Sequence, residues 1–334
     1  MRRAATLTQL AGPSVLIVGA ALLGTLVSTS SRGYFVNALV EVTIVIALYV
    51  FIGNSGVLSF GHISFVALGA WTAGVLSVPV GEKPAIMPNL AHFLRDTTVG
   101  NVPSLALAAV AGGVLALVVG LPLMRLSGLA AGIATFGVLE IGHNVLRYYE
   151  KIGPGLNTFS SVPETTGLLQ AAIGALIAIG VAFAYQRSRF GRMLRATRED
   201  PPAASAVGIS VYRQRLGAFV VSGALAGLAG GLYVHLLPLN TEALYLDLTF
   251  LTLAMLVVGG ASSLWGAVVG ALAVSALDSF LAQAENGVRL PGFTLDLPGG
   301  TRLVVVGTLM ALVLILRPSG LTGGREFSLP WRRA

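Results

Sequence analysis

Four polar residues, Glu140, His143, Asn144 and Arg147, lie in an otherwise apolar stretch at intervals of three, one and three residues. This spacing puts all four on one face of an α-helix. An ionisable group inside a membrane span costs roughly 2.5 to 3.5 kcal/mol on insertion scales and usually needs a partner. Glu140, with His143 and Asn144 in reach, is either part of a packing contact or a lining group of a translocation path. Either way, we expect this face to look into the protein rather than at lipid.

A second polar group lies where an apolar stretch is interrupted by the sequence GNSG at residues 53–56. A glycine break at membrane depth is tolerated only where other protein or a water-filled cavity satisfies the freed backbone groups. The break is therefore expected on a substrate path, lined by Asn54, Ser59, His62 and Ser64. The alternative for His62 is a structural role, in which the ring caps or bridges helices.

Other chemistry is limited by what the sequence contains. There is no cysteine, which excludes disulfides and thiolate metal sites, and no phosphate-binding GxxxxGK[ST], HExxH or GxSxG motif occurs. We assign no catalytic residue, metal site or cofactor to this chain. Glu41 and Asp278 also lie in apolar spans, without an obvious partner in the local sequence. Buried carboxylates and histidines are parts of ion-coupled carriers, so a carrier is one alternative; an intramembrane enzyme using Glu140 and His143 is another.

The composition indicates a membrane protein. Of the 334 residues 55% are hydrophobic and only 10% are charged, whereas roughly a quarter are charged in soluble domains. The formal net charge of +7 could suggest nucleic acid as a partner. However, the basic excess falls in segments assigned to one side of the membrane, which indicates orientation instead.

The hydrophobic pattern predicts an all-α polytopic protein of about ten spans, with both termini in the cytoplasm. A span needs about 20 apolar residues. Residues before 31 form either a retained first span, which we favour because no clean A-x-A site follows, or a cleaved signal. Two glycine-broken double spans, 34–78 and 248–282, could mark corresponding places in two halves. The single domain 1–334 is predicted to have spans at 13–31, 34–52, 57–78, 102–124, 127–149, 167–186, 212–237, 248–262, 264–283 and 301–316.

The longest polar interruption is the coupling segment, residues 187–211, which begins with five arginines in twelve residues. Such a cluster beside apolar spans is held in the cytoplasm. Asp200 can cap, Pro201 fits the first helical position and Gly208 can take the left-handed ending conformation, so a two-turn helix is predicted over 201–207. A helix that short needs a partner surface. The alternative is a solvated basic loop that only fixes topology.

Three stretches resemble one family. The coupling segment, with R-x-R-x-G-R-x-x-R-A-x-R-E-D followed by AAxxxGI, resembles that of LivM-type permeases, the membrane subunits of branched-chain amino acid importers driven by ATP-binding-cassette ATPases. GNSGVLSFGHISFVALGAWTAGVL at 53–76 and VVGGASSLWGAVVGA at 257–271 are similar to the same family. Ala261 replaces a frequent glycine, and GPGLN at 153–157 departs from the family pattern.

The resemblance implies the type II importer permease fold in the bacterial inner membrane, working by alternating access. It implies four kinds of partner: a second, LivH-like permease; two cytoplasmic LivG/LivF-like ATPases, which bind ATP and Mg; and a periplasmic solute-binding protein. The implied cargo is a branched-chain or other apolar amino acid, with urea, amides or aromatic acids as alternatives. The implied ATPase contacts are Arg192, Arg195, Arg198, Glu199, Asp200, Ala203, Ala204 and Gly208.

Overall fold

The computed structural model describes residues 2–290, 293–295 and 297–327. The predicted all-helical class is confirmed; within the described ranges the one regular sheet is a hairpin of Val288–Leu290 and Phe293–Leu295. Met1 and residues 328–334, at the two predicted cytoplasmic termini, lie outside them. The α-helices are α1 Arg2–Leu26, α2 Thr29–Leu48, α3 His62–Ser77, α4 Lys83–Ile86, α5 His92–Arg95, α6 Asn101–Leu123, α7 Gly128–Tyr148, α8 Leu168–Arg187, α9 Arg189–Glu199, α10 Pro201–Ala206, α11 Val211–Val234, α12 Leu246–Gly259, α13 Leu264–Glu285 and α14 Thr301–Leu316.

Eight helical segments of the described chain are long and apolar enough to cross a membrane. Two further apolar helices, α3 and α14, have 16 residues each. A helix of that length rises about 24 Å, which is less than the 30 Å hydrocarbon core. The chain is thus a multi-pass membrane protein. The span boundaries and the side on which each terminus lies stay predictions. The eight long segments are Thr8–Leu26, Ser31–Gly53, Asn101–Leu123, Gly128–Tyr148, Leu168–Arg187, Val211–Val234, Glu242–Gly259 and Leu264–Glu285.

The bundle centre is built by α2 and α11. The α2 span is 83% buried, and α11 packs into a groove between α3 and α6. Glycines allow this approach: a Cβ on Gly223 would collide with the Ala116 side chain, one on Gly227 with the Ala108 carbonyl, and one on Gly230 with the Val66 carbonyl. Lipid supplies no hydrophobic drive between helices, so close packing through small residues stabilises such contacts.

A buried lysine holds the connection between α3 and α6. The Lys83 side chain has no exposed surface, and its Nζ donates to the backbone carbonyls of Leu94, at 2.7 Å, and Thr97. Burial lowers the pKa of Lys83, an effect that nearby Asp96 opposes.

Both predicted glycine breaks are present. A π-helical turn, Tyr49–Gly53, ends α2, and the chain becomes helical again at α3. The second break, residues 260–263, separates α12 from α13. The two breaks lie side by side, because a Cβ on Gly53 would lie 2.6 Å from the Ala261 carbonyl oxygen. They are at the end of the bundle that carries α9, since Arg198 of α9 bonds to Gly53.

Candidate coupling and translocation sites

The coupling segment forms two short helices, α9 and α10. The capping prediction for α10 is confirmed: the Asp200 carboxylate accepts from the Ala203 amide at 3.0 Å, and Gly208 has φ +82°. The helix ends at Ala206, one residue earlier than predicted. Helix α9 was missed, although its arginines recur at three-residue intervals, and the Ser188 hydroxyl caps it by accepting from the Gly191 amide at 3.1 Å.

The three arginines expected to contact an ATPase also donate hydrogen bonds to backbone carbonyls of this chain. Arg198 Nη1 donates to the Gly53 carbonyl at 2.6 Å, and Arg195 Nη2 donates to the Gln186 carbonyl at 2.7 Å. Arg192 Nη1 bonds the carbonyl of Arg187 at 2.6 Å. A guanidinium carries five N–H donors, so each arginine retains donors for another contact. Arg198 thereby connects the coupling segment to the first glycine break.

One predicted partner contact is corrected by burial. Ala204 is only 4% exposed, because α10 lies against α9 and α11 with this residue underneath. Its side chain therefore packs within the chain and presents no surface to another protein. The predicted contacts that are exposed are Arg192, Arg198, Glu199, Asp200, Ala203 and Gly208. Val207 beside them is 76% exposed.

His62 bridges helices in the closed interior. Nδ1 lies 2.7 Å from Ser59 Oγ and Nε2 lies 2.7 Å from Ser222 Oγ. The ring is 1% exposed and is enclosed by phenylalanines 51, 65 and 219, with ring centroids 5.4 to 5.6 Å away. With both nitrogens bonded within the protein, these contacts match the structural alternative, a bridge between α3 and α11.

The other residues predicted to line a substrate path at the first break are buried. Asn54 Nδ2 donates to the Val50 carbonyl at 3.0 Å, and Ser64 Oγ donates to the Val138 carbonyl at 3.1 Å. Asn54, Ser59 and Ser64 are each 1 to 2% exposed. Their polar groups satisfy the interrupted backbone and join α2, α3 and α7. A role in lining a path stays a prediction for them.

The polar face of α7 lies on the surface of this chain. Glu140 and Asn144 lie on the surface of the chain, and only His143 is buried. Tyr245, in the residues before α12, stacks on the His143 ring with the ring centroids 3.9 Å apart, and its hydroxyl donates to Glu140. Glu242 forms an ion pair with Arg147. We call these residues the α7 ionic face: Glu140, His143, Asn144, Arg147, Glu242 and Tyr245.

Glu41 and Asp278 have partners that sequence inspection missed. The Glu41 carboxylate accepts from Asn37 Nδ2 at 2.8 Å and from the Ser275 hydroxyl. Asp278 Oδ1 lies 3.4 Å from Arg302 Nε. Asn37 is four residues before Glu41 on the same helix face, a signal that was available. The other two contacts join distant parts of the chain.

Comparison with known proteins gives the family. The family described as "Branched-chain amino acid transport system / permease component" matches residues 30–314. The chain is 26% identical to the high-affinity branched-chain amino acid transport system permease protein LivM of Escherichia coli (strain K12), over 83% of this chain and 66% of LivM. The chain thus spans just under two thirds of that relative's length.

Two other relatives broaden the comparison. The probable branched-chain amino acid transport permease protein LivH of Methanocaldococcus jannaschii is 32% identical over 44% of this chain and 45% of its own. The guanosine ABC transporter permease protein NupQ of Bacillus subtilis (strain 168) is 28% identical over 79% of this chain and 84% of its own. No solved structure matches the chain. With a family match that covers most of its length and a fold of membrane-spanning helices, the chain belongs to the branched-chain amino acid transport system permease component family.

Proposed function

We propose that this chain is a membrane subunit of an ATP-driven importer in the bacterial inner membrane, and that it moves branched-chain or other apolar amino acids by alternating access. Two cytoplasmic ATPases hydrolyse ATP, a periplasmic protein delivers the solute, and this chain provides the path without catalysing a reaction. Its family and its similarity to LivM over most of the chain support the proposal.

The observation that carries the ATPase assignment is the build of the coupling segment. Helix α10 has only six residues, a length that is unstable in isolation, yet it is capped and exposes Val207 to 76%. Behind it, Arg198 bonds to the Gly53 carbonyl at the end of α2. A force on α10 therefore passes through α9 and Arg198 to α2, the most buried of the spans.

A second permease is supported by the α7 ionic face. Glu140 and Asn144 are exposed on a helix long enough to span the membrane, and exposed ionisable groups at that depth need protein or water around them. We infer that another permease subunit, together with a water-filled path, covers this face. The partial similarity to a LivH-type permease fits a pair of related subunits.

The cargo is proposed from the relatives. LivM is named for branched-chain amino acids and NupQ for guanosine, so nucleosides join urea, amides and aromatic acids as alternatives. Uptake of radiolabelled L-leucine, L-phenylalanine, guanosine and urea by vesicles containing the full complex, with ATP, separates them. Saturable uptake of L-leucine in preference to the others is expected; its absence would contradict the proposed cargo.

The coupling role is tested by Val207→Asp. This exposed residue contributes little to folding, so the variant should keep its span packing but lose copurification with the ATPases and most ATP-driven uptake. Val80→Asp, at a valine 42% exposed in the connection after α3, is the matched control and should retain both activities. Uptake driven by an ion gradient in the absence of ATPases would instead favour the secondary carrier.

A further inference from the structure

A cavity of about 500 Å³ lies between α14 and the bundle, lined mainly by residues of α2, α11, α12, α13 and α14. We call it the α14 cavity. It is lined by three carboxylates and one guanidinium, from Glu41, Asp247, Asp278 and Arg302. Most of the remaining lining forms an apolar wall, which includes Leu251 and Met310. No function has been assigned above to this cavity.

The cavity has a buried and an open end. Glu41 is 3% exposed and Asp278 is 8% exposed, whereas Asp247 is exposed and Leu303 is 50% exposed. Asp247 and Arg302 are the second residues of α12 and α14, at the helix ends remote from the two glycine breaks. In the proposed orientation this opening faces the periplasm, where a solute would arrive.

The two buried carboxyl groups of the cavity differ in their charge pairing. The Arg302 guanidinium pairs with Asp278, with Nε 3.4 Å from Oδ1 and Nη1 3.5 Å from Oδ2. Glu41 accepts only from the neutral groups Asn37 Nδ2 and Ser275 Oγ. Among the described residues, no cationic side chain lies within salt-bridge distance of Glu41. Ionisable groups inside spans commonly mark substrate or ion paths.

An orphan acceptor lies beside Glu41. Asn37 donates its Nδ2 to the Glu41 carboxylate, and its buried amide oxygen, Oδ1, has no hydrogen-bond partner among the residues that the structure describes. Asn37 also lines the cavity. The Glu41 carboxylate and the Asn37 amide oxygen are both acceptors, so a group that only donates, such as an ammonium, suits them.

A metal ion fits less well than an ammonium. Across the part of the chain that the structure describes, no three histidine or acidic side chains converge closely enough to hold one. The apolar wall would also have no contact with a bare ion, whereas it suits an aliphatic tail next to an ammonium group.

We propose that the α14 cavity binds a small molecule carrying a primary ammonium next to an apolar tail, with the ammonium on Glu41 and Asn37 Oδ1 and the tail against Leu251 and Met310. For an amino acid, the carboxylate lies toward Arg302. This assignment to a substrate rests on the proposed function, and it places a binding site within one permease subunit.

Three small molecules with the same carbon skeleton test whether the cavity recognises an ammonium group. L-leucine carries both charges, 3-methylbutylamine only the ammonium and 4-methylpentanoate only the carboxylate. Binding to the full chain in lipid nanodiscs is measured by thermal stabilisation over a titration. The expected result is stabilisation by the first two and not by 4-methylpentanoate. Stabilisation by 4-methylpentanoate equal to that by the amine would overturn the proposal.

Variants locate the site. Glu41→Gln keeps the side-chain volume and should weaken 3-methylbutylamine about tenfold or more, because a charge-assisted hydrogen bond becomes neutral. Glu82→Gln, at an exposed position before α4, is the control and should bind normally. If Glu41→Gln is too unstable to assay, Met310→Trp should weaken 3-methylbutylamine but not methylamine, which has no tail. Unchanged amine binding in either variant contradicts the assignment.

Transport by the complex distinguishes this proposal from the proposed function. If leucine uptake proceeds and Glu41→Gln leaves its KM unchanged, the cavity assignment fails and the importer stands. If no leucine uptake occurs but amine binding still depends on Glu41, the cargo assignment fails and the ammonium site stands.

Discussion

The two glycine breaks adjoin at one end of the bundle but are completed by different parts of the chain. At the first break, Arg198 of the coupling segment bonds the Gly53 carbonyl at 2.6 Å. At the second, the tail after α14 folds back, and the amides of Leu321 and Thr322 donate to the carbonyls of Val258 and Gly259 at 2.8 and 3.2 Å. The first break is thus held by a charged side chain and the second by backbone.

This difference separates a movable junction from a fixed one. A single side chain can release its carbonyl to water at modest cost, whereas releasing the tail breaks several contacts together. Glu326 adds to the fixed junction, since its carboxylate accepts from the amides of Leu264 and Trp265 at 3.0 and 3.3 Å, where a negative charge is favoured by the helix dipole. We therefore expect the first break to change with the coupling segment and the second to serve as its support.

The largest effect is expected for Gly260→Ala, at the fixed junction. Gly260 has φ +117°, and an added Cβ would lie 2.9 Å from the Ser319 carbonyl oxygen. Backbone strain of this kind costs about 1 to 3 kcal/mol, and the collision adds to it. Melting temperature in detergent should fall clearly. Gly287→Ala, at φ +80° in open space, carries strain without collision, so equal losses would refute the role of the tail.

The next largest effect is expected for Arg198→Gln, at the movable junction. Loss of a charged hydrogen bond costs about 1.5 to 3 kcal/mol. Because Arg198 is exposed to solvent, we expect a cost at the lower end of this range. ATP-driven uptake should fall by more than the loss of folded protein explains. Arg213→Gln, at an exposed arginine outside the coupling segment, is the matched control and should retain uptake. Equal losses of uptake in the two variants would mean that the Gly53 bond has no special role.

A smaller effect is expected for Glu326 variants. Replacing a cap that accepts amide hydrogens costs about 0.5 to 2 kcal/mol, and Gln keeps an acceptor while losing the charge. Thermal denaturation should therefore rank the wild type above Glu326→Gln and Glu326→Ala last, with ATPase association unaffected. Weakened ATPase association in Glu326→Gln would show that the second junction also moves during coupling.

The smallest effect is expected for Thr322→Val. It removes the hydrogen bond from Thr322 Oγ1 to the Gly259 carbonyl, which is 2.8 Å long, but the Thr322 amide still donates to the same oxygen. With the carbonyl satisfied, the loss should be about 0.5 kcal/mol, the low end for a neutral hydrogen bond. A fall in melting temperature as large as that of Gly260→Ala would mean that the hydroxyl, rather than the backbone, holds the tail.

The local features of the fold were predictable. The two breaks follow from glycine clusters inside apolar stretches, and α10 follows from Asp200, Pro201 and Gly208, because a cap and a turn are decided within a few residues. The missed features are of another kind. Ala204 looked like an exposed contact, yet it is buried by a helix that the local sequence could not place.

The sequence by itself determined that this is a helical membrane chain, where its helices are interrupted, and how the coupling helix is capped, since each depends on neighbours within a span or a turn. Only the tertiary structure decided that Arg198 meets Gly53, 145 residues away, and that Ser275 meets Glu41, 234 residues away. Which buried polar groups find partners depends on how whole helices pack, and that packing brings together residues whose separation in sequence leaves no local pattern.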